Sequence, residues 1–143
     1  MSNPYTVDRT DWPSGPWDNE PDVYTWTTHA GYTGLAKRST EGFWFGHVVV
    51  NASSAHAGRP VSGDDYFDCD AHGGLTYAGC AGTAAYGDVS ATDWMIGFDC
   101  GHLGDTWPLD KHGERGMYLP LKFVTDQCEA LAHALRQTDP VRP

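Results

Sequence analysis

The sequence predicts an α+β fold: a mainly antiparallel sheet of about four to six strands with a C-terminal amphipathic helix packed on one face. Three observations carry this reading. Short β-prone runs recur between clusters of Gly, Pro, Ser and Asn. One run, Trp94–Asp99, alternates so that Trp94, Ile96, Phe98 and Cys100 share one face and Met95, Gly97 and Asp99 the other. Near the C-terminal end, Val124, Cys128, Leu131 and Leu135 fall at the spacing of one helical stripe.

Met1 to Glu20 contains Pro4, Pro13 and Pro16 and reads as an arm that packs through Trp12 and Trp17. Residues 21–137 form a single α+β domain, and 138–143 a tail. Val23–Thr27 and Leu35–Arg38 form a strand pair around the Ala30-Gly31 and Thr33-Gly34 turns. Phe43–Val50 is apolar on both faces except at His47, as in a central strand, and His47 is expected to make a satisfied hydrogen bond in the core. Asn51–Asp65 is a loop. Tyr66–Tyr77 is the next expected strand, with Phe67, Cys69 and Leu75 on one face and Asp68, Asp70, His72 and Thr76 on the other. Ala78–Val89 and Thr106–Gly116 read as loops, the second carrying Lys111, His112, Glu114 and Arg115. Pro120 then opens the helix, a position that suits proline.

The chain has 143 residues, 40% of them hydrophobic and 13% aromatic, enough for one packed core and not a disordered composition. Its formal net charge of -10 argues against capture of duplex nucleic acid or of an anionic membrane. A small anionic nucleotide is still an acceptable ligand, because a few local cations or backbone N–H groups can hold one. No apolar run has transmembrane length, and no basic-then-apolar leader precedes the arm, so a cytoplasmic protein is expected. The 4 cysteines, Cys69, Cys80, Cys100 and Cys128, are therefore expected as reduced thiols, with Cys128 in the core. A Cys/His zinc site is disfavoured, since alternation puts Cys69 and Cys100 on the buried faces of their strands.

The chemistry-bearing residues fall in two clusters. The first is the His72-Gly73-Gly74-Leu75-Thr76 segment, and the second is Asp99, His102 and Asp105, punctuated by Gly101 and Gly104. If the two segments are neighbours, His72, Thr76, Asp99 and His102 converge on one pocket. Three uses follow. His72, Asp99, His102 and Asp105 form a nitrogen and oxygen donor set for a divalent metal, Zn or Mn/Mg, of the kind that activates water for hydrolysis. Alternatively, His72 and His102 act as an acid–base pair on a phosphodiester, with Asp99 orienting them and Thr76, Gly73 and Gly74 contacting phosphate. In the third use these groups only grip a ligand. His56, beside Arg59 in a Ser-rich loop, is a further ligand-binding candidate, whereas His29, His112 and His133 are expected at the surface.

Arg38, Gly46-His47-Val48, His56, HGGLTY from His72, and WMIGFDCGHLGD from Trp94 to Asp105 occur in that order before the closing helix. This pattern resembles a family of small proteins encoded by bacteriophages and prophages, marked by an HGGLT segment and a GFDxxHxGD segment. The resemblance spans about Trp17 to Leu135, and His47 departs from it where an aromatic is usual. It implies phage origin and a site that includes Arg38 as a ligand-binding residue, but no particular reaction. A phage accessory role, such as countering host immunity that signals through cyclic nucleotides, is then the expected setting. The leading expectation is a hydrolase of a phosphodiester in a small, cyclic or other, nucleotide. Its rivals are a protein that sequesters such a nucleotide and an acidic inhibitor of a host defence protein. Each reading accommodates a homo-oligomer.

Overall fold

The computed structural model describes residues 5–60, 72, 74–82, 86–87, 89–102, 104–110 and 116–140. A five-stranded antiparallel sheet is built from β1 (Val23–Thr27), β2 (Thr33–Arg38), β3 (Trp44–Val50), β4 (Tyr77–Cys80) and β5 (Trp94–Asp99), in the order β1-β2-β3-β5-β4. Two short strands, β6 (Asp105–Thr106) and β7 (Met117–Tyr118), pair in parallel beside it. Helix α1 (Leu121–Gln137) follows Pro120 and packs on the sheet. This is the α+β architecture that the periodicities imply, with Phe43–Val50 supplying the central strand.

The core has two sides. On the helix side, Trp44, Val48, Val50, Ile96, Phe98 and Cys100 meet Val124, Cys128, Leu131 and Leu135, all buried. Complete burial of each such side chain contributes about 1.5–3 kcal/mol, so this one stripe fixes the helix to the sheet. The opposite face of β5 is also apolar: Met95 is fully buried with Leu35, Val49, Ala81 and Val89. Asp99 therefore ends a strand buried on both faces. Gly97 makes that burial possible, because a Cβ there would lie 2.2 Å from the Gly46 carbonyl oxygen and 2.4 Å from the His47 ring.

The expected strand from Tyr66 begins later. Residues 61–71, with Asp68, Cys69 and Asp70, lie outside the described residues, as does Gly73. Within the described part, His72 and residues 74–76 are not strand. Gly74 has φ +83°, a left-handed conformation that an extended strand cannot contain. Pairing with β5 starts at Tyr77 and runs to Cys80, through residues read from sequence as loop.

The arm is bound by charge as well as by Trp17, which is buried and edge-on to Tyr118 at 5.1 Å. Arg9 pairs with Asp22, and Tyr5 donates to the Arg38 carbonyl at 2.9 Å. Glu20 accepts the Leu121 N–H at 2.6 Å, placing an acid at the positive end of α1. Among the described residues no helix is long and apolar enough to cross a membrane.

Candidate metal centre

The site forms where β5 runs out. After Asp99 the chain turns, with Gly101 N–H donating to Asp99 Oδ1 at 3.0 Å and Asp105 N–H donating to the His102 carbonyl at 2.9 Å. Gly104, at φ +96°, completes the turn and delivers Asp105 into β6. Next to it, Gly116 lets β7 close onto the Asp105 backbone, since a Cβ at 116 would lie 2.5 Å from the Asp105 carbonyl. Asp105 is thereby buried and fixed.

His72 arrives from the other cluster. Its backbone N–H donates to Gln127 Oε1 of α1 at 3.0 Å, and its ring stands edge-on to Phe123 of the same helix at 5.3 Å. These two anchors direct Nε2 to within 2.8 Å of Asp105 Oδ2. The His72 and His102 rings are 5.6 Å apart between centroids. Sequence reasoning joined these segments only on the condition that they are neighbours, and the structure brings them together.

His102 uses its two nitrogens differently. Nε2 lies 3.4 Å from Asp99 Oδ1. Nδ1 is buried, has no hydrogen-bond partner among the described residues, and lies 3.7 Å from Asp105 Oδ2. Asp105 Oδ2 also accepts the His102 backbone N–H at 3.1 Å. One donor atom each from His72, His102 and Asp105 lies within 4.8 Å of the others, a group that could hold a metal ion. An ion with bonds of about 2.0–2.2 Å in tetrahedral array separates its ligand atoms by about 3.4 Å. The 2.8 and 3.7 Å separations from Asp105 Oδ2 to the two imidazoles lie on either side of that value.

Asp99, expected as a direct ligand, is not in this group among the described residues. It stands behind His102, held by the Gly101 N–H and by the Thr76 hydroxyl at 3.2 Å. A carboxylate on the far nitrogen of a ligand histidine fixes its tautomer and raises its basicity. Thr76, expected to meet phosphate, donates to that carboxylate instead. Gly74 shapes the turn that follows His72. The buried Cys100 thiol is pushed up by burial first and then by Asp105 and Asp99, and it is not in the metal-capable group among the described residues.

Two residues expected to bind ligand lie elsewhere, each buried against protein partners. Arg38 is buried, with Nη1 donating to the Gly42 carbonyl at 2.7 Å and to Tyr118 Oη at 3.0 Å, Nε 3.2 Å from Asp22 Oδ1, and the guanidinium 4.1 Å over the Trp44 ring. It joins arm, sheet and β7. His56 is buried at the end of α1, with Nε2 donating to the Leu135 carbonyl at 2.8 Å. Ser54 and Tyr32 both donate to Asp139 Oδ2 beside it. His47 also departs from expectation. It is buried, but its Nδ1 has no hydrogen-bond partner among the described residues. His29 and His133 are exposed as expected, and His112 lies outside the described residues with Lys111, Glu114 and Arg115. Cys100 and Cys128 are buried and free, Cys80 is exposed and free. Sequence reading missed Gln127 and Phe123, the helix residues that aim His72; their only signal is a position one turn apart on the edge of the apolar stripe.

No protein-family model, no curated protein and no solved structure matches the chain.

Proposed function

We propose that His72, His102 and Asp105 form the divalent-metal centre of a hydrolase that acts on a phosphodiester or related bond in a small nucleotide. The observation that carries this reading is the buried Nδ1 of His102: it has no hydrogen-bond partner among the described residues, and it lies 3.7 Å from the same carboxylate oxygen that His72 approaches. Two imidazoles with one carboxylate suit zinc better than magnesium, which takes oxygen ligands and keeps its waters. Three protein donors leave a coordination position for water, as catalytic rather than structural sites do. A divalent ion held there supplies Lewis acidity and a nucleophilic water near neutral pH.

The chain's own residues supply the rest. Asp99 holds the proton on His102 Nε2, so that Nδ1 presents its lone pair. Phe123 closes one side of the His72 ring to water, and Gln127 fixes its backbone. The net charge of -10 disfavours long polyanions and is compatible with a small nucleotide held by local groups. The resemblance to phage-encoded proteins supports an accessory role against host nucleotide signalling.

The test is metal analysis joined to turnover. Calorimetry on the stripped wild type is expected to show one zinc site per chain, lost in His72→Ala and in Asp105→Asn. A panel of cyclic and linear nucleotides is expected to yield products with zinc and none after chelation. Wild-type zinc binding no tighter than that of His72→Ala overturns the metal centre. Metal binding with tight nucleotide uptake and no product replaces hydrolysis by sequestration.

A further inference from the structure

The outer edge of the sheet carries a second message, independent of the metal centre. Among the described residues, strand β1 is terminal in the order β1-β2-β3-β5-β4 and pairs with β2 alone. Its sequence, Val23-Tyr24-Thr25-Trp26-Thr27, contains β-branched and aromatic residues and no charge, proline or glycine. Exposed edges of this kind normally carry a lysine, a proline or a bulge that blocks pairing with another chain. Strand β1 has none of these. Tyr24 is 44% exposed and stacks on Trp26 with centroids 5.4 Å apart.

The register decides which backbone groups point outward. Thr28 N–H donates to the Tyr32 carbonyl and Arg38 N–H to the Asp22 carbonyl, flanking the ladder in which Tyr24 faces Ala36 and Trp26 faces Gly34. By the antiparallel alternation, Tyr24 and Trp26 turn their backbone groups to β2, and Val23, Thr25 and Thr27 turn theirs outward. We infer that a second copy of this chain adds to β1, antiparallel, about a twofold axis through Thr25. Thr25 then exchanges both backbone hydrogen bonds with its symmetry mate, and Val23 does so with Thr27 of the other copy.

That register is self-complementary in its side chains too. Tyr24 falls opposite Trp26 of the other copy at a non-hydrogen-bonded pair, the closer of the two antiparallel spacings, so four rings meet across the axis. No like charges oppose each other within the paired strands, which matters for a chain of net charge -10. The two five-stranded sheets become one continuous sheet, with both helices on the same side. The interface is isologous, the commonest closed arrangement of soluble oligomers.

Sedimentation equilibrium over micromolar concentrations tests this, with a dimer of twice 15.6 kDa expected. Thr25→Lys, at an exposed position, is expected to abolish the dimer while the far-ultraviolet circular dichroism stays that of the wild type. In a Cys80→Ser background, Thr25→Cys is expected to form an intermolecular disulfide on mild oxidation, and Glu41→Cys is not. A wild type that stays monomeric overturns the inference. So does a dimer that survives Thr25→Lys, or one that Thr25→Cys fails to cross-link.

Discussion

His102 shows how one side chain takes its role from what stands behind it. Its ring has a carboxylate on each side, Asp99 at Nε2 and Asp105 toward Nδ1, and the two differ in consequence. Asp105 is buried and also faces His72, so it is one of the three groups that could hold an ion directly. Among the described residues Asp99 meets His102, a backbone N–H and the Thr76 hydroxyl, which on the proposed reading makes it the group that sets the ring's tautomer. Asp99→Asn preserves the shape but offers its amide N–H where a proton acceptor is needed. Loss of such an outer partner typically weakens metal binding 10–100-fold. Competition against a chromophoric chelator is expected to show zinc affinity falling by about that factor in Asp99→Asn, and Thr76→Val should follow in the same direction by less. Unchanged affinity in both would return Asp99 to a turn-capping role. The sequence marked Asp99, His102 and Asp105 by their place at a strand end, but it could not rank them. Rank depends on which oxygen faces which nitrogen, and that is set by the Gly101 and Gly104 turns. Arg38, which the resemblance implied, and His56, read from its Ser-rich loop, are both buried against interior partners. A basic side chain looks the same in sequence whether it waits for a ligand or binds carbonyls in the interior.

At the level of elements, β3 and β5 each carry a glycine where the neighbouring strand leaves no room for a side chain, Gly46 opposite Phe98 and Gly97 opposite His47. Gly97 has the Gly46 carbonyl and the His47 ring where its Cβ would be, and Gly46 has Phe98 and Cys128. Overpacking a tight core typically costs about 1–3 kcal/mol, and a clash with backbone sits at the upper end. Gly97→Ala is therefore expected to lower stability in urea by about 3 kcal/mol and, because Asp99 is two residues on, to weaken zinc binding as well. Gly104→Ala meets no atoms and strains only a positive φ, so a smaller loss is expected, about 1 kcal/mol. Denaturation midpoints of the two variants check the order, and equal losses would refute it. Strand β5 and the helix are legible because each is long enough for its period to show, and β3 because it is apolar on both faces. Strand β1 and most of β2 are legible from β-prone residues around turn signals, although Thr33 and Gly34, read as a turn, open β2. Strand β4 was not, since the alternation from Tyr66 runs unbroken through Gly74, whose left-handed backbone no alternation records. The parallel pair β6–β7 is two residues long on each side and has no period to read.

For the molecule as a whole, the sheet's second buried face leaves a titratable group inside it. His47 occupies a central strand with Phe45 stacked at 6.3 Å and Tyr77 edge-on at 5.5 Å. Burial, and then the charge of Lys37, push its pKa down from 6.5 to about 4. The unfolded chain thus binds a proton at this residue between about pH 6.5 and 4 that the folded chain refuses. Stability from the neutral imidazole is complete above the unfolded value and falls as the pH drops through that window. At about 1.4 kcal/mol per pH unit, the loss reaches about 3 kcal/mol at pH 4. Replacing His47 by Phe removes the proton and retains a ring against Gly97. Urea denaturation of wild type and His47→Phe at pH 7, 5.5 and 4 is expected to show the variant gaining on the wild type as the pH falls. The carboxylates titrate in both proteins and cancel in the difference. A constant difference across that range would mean that the folded protein protonates His47 without cost, and that the face between Phe45 and Tyr77 is open to water.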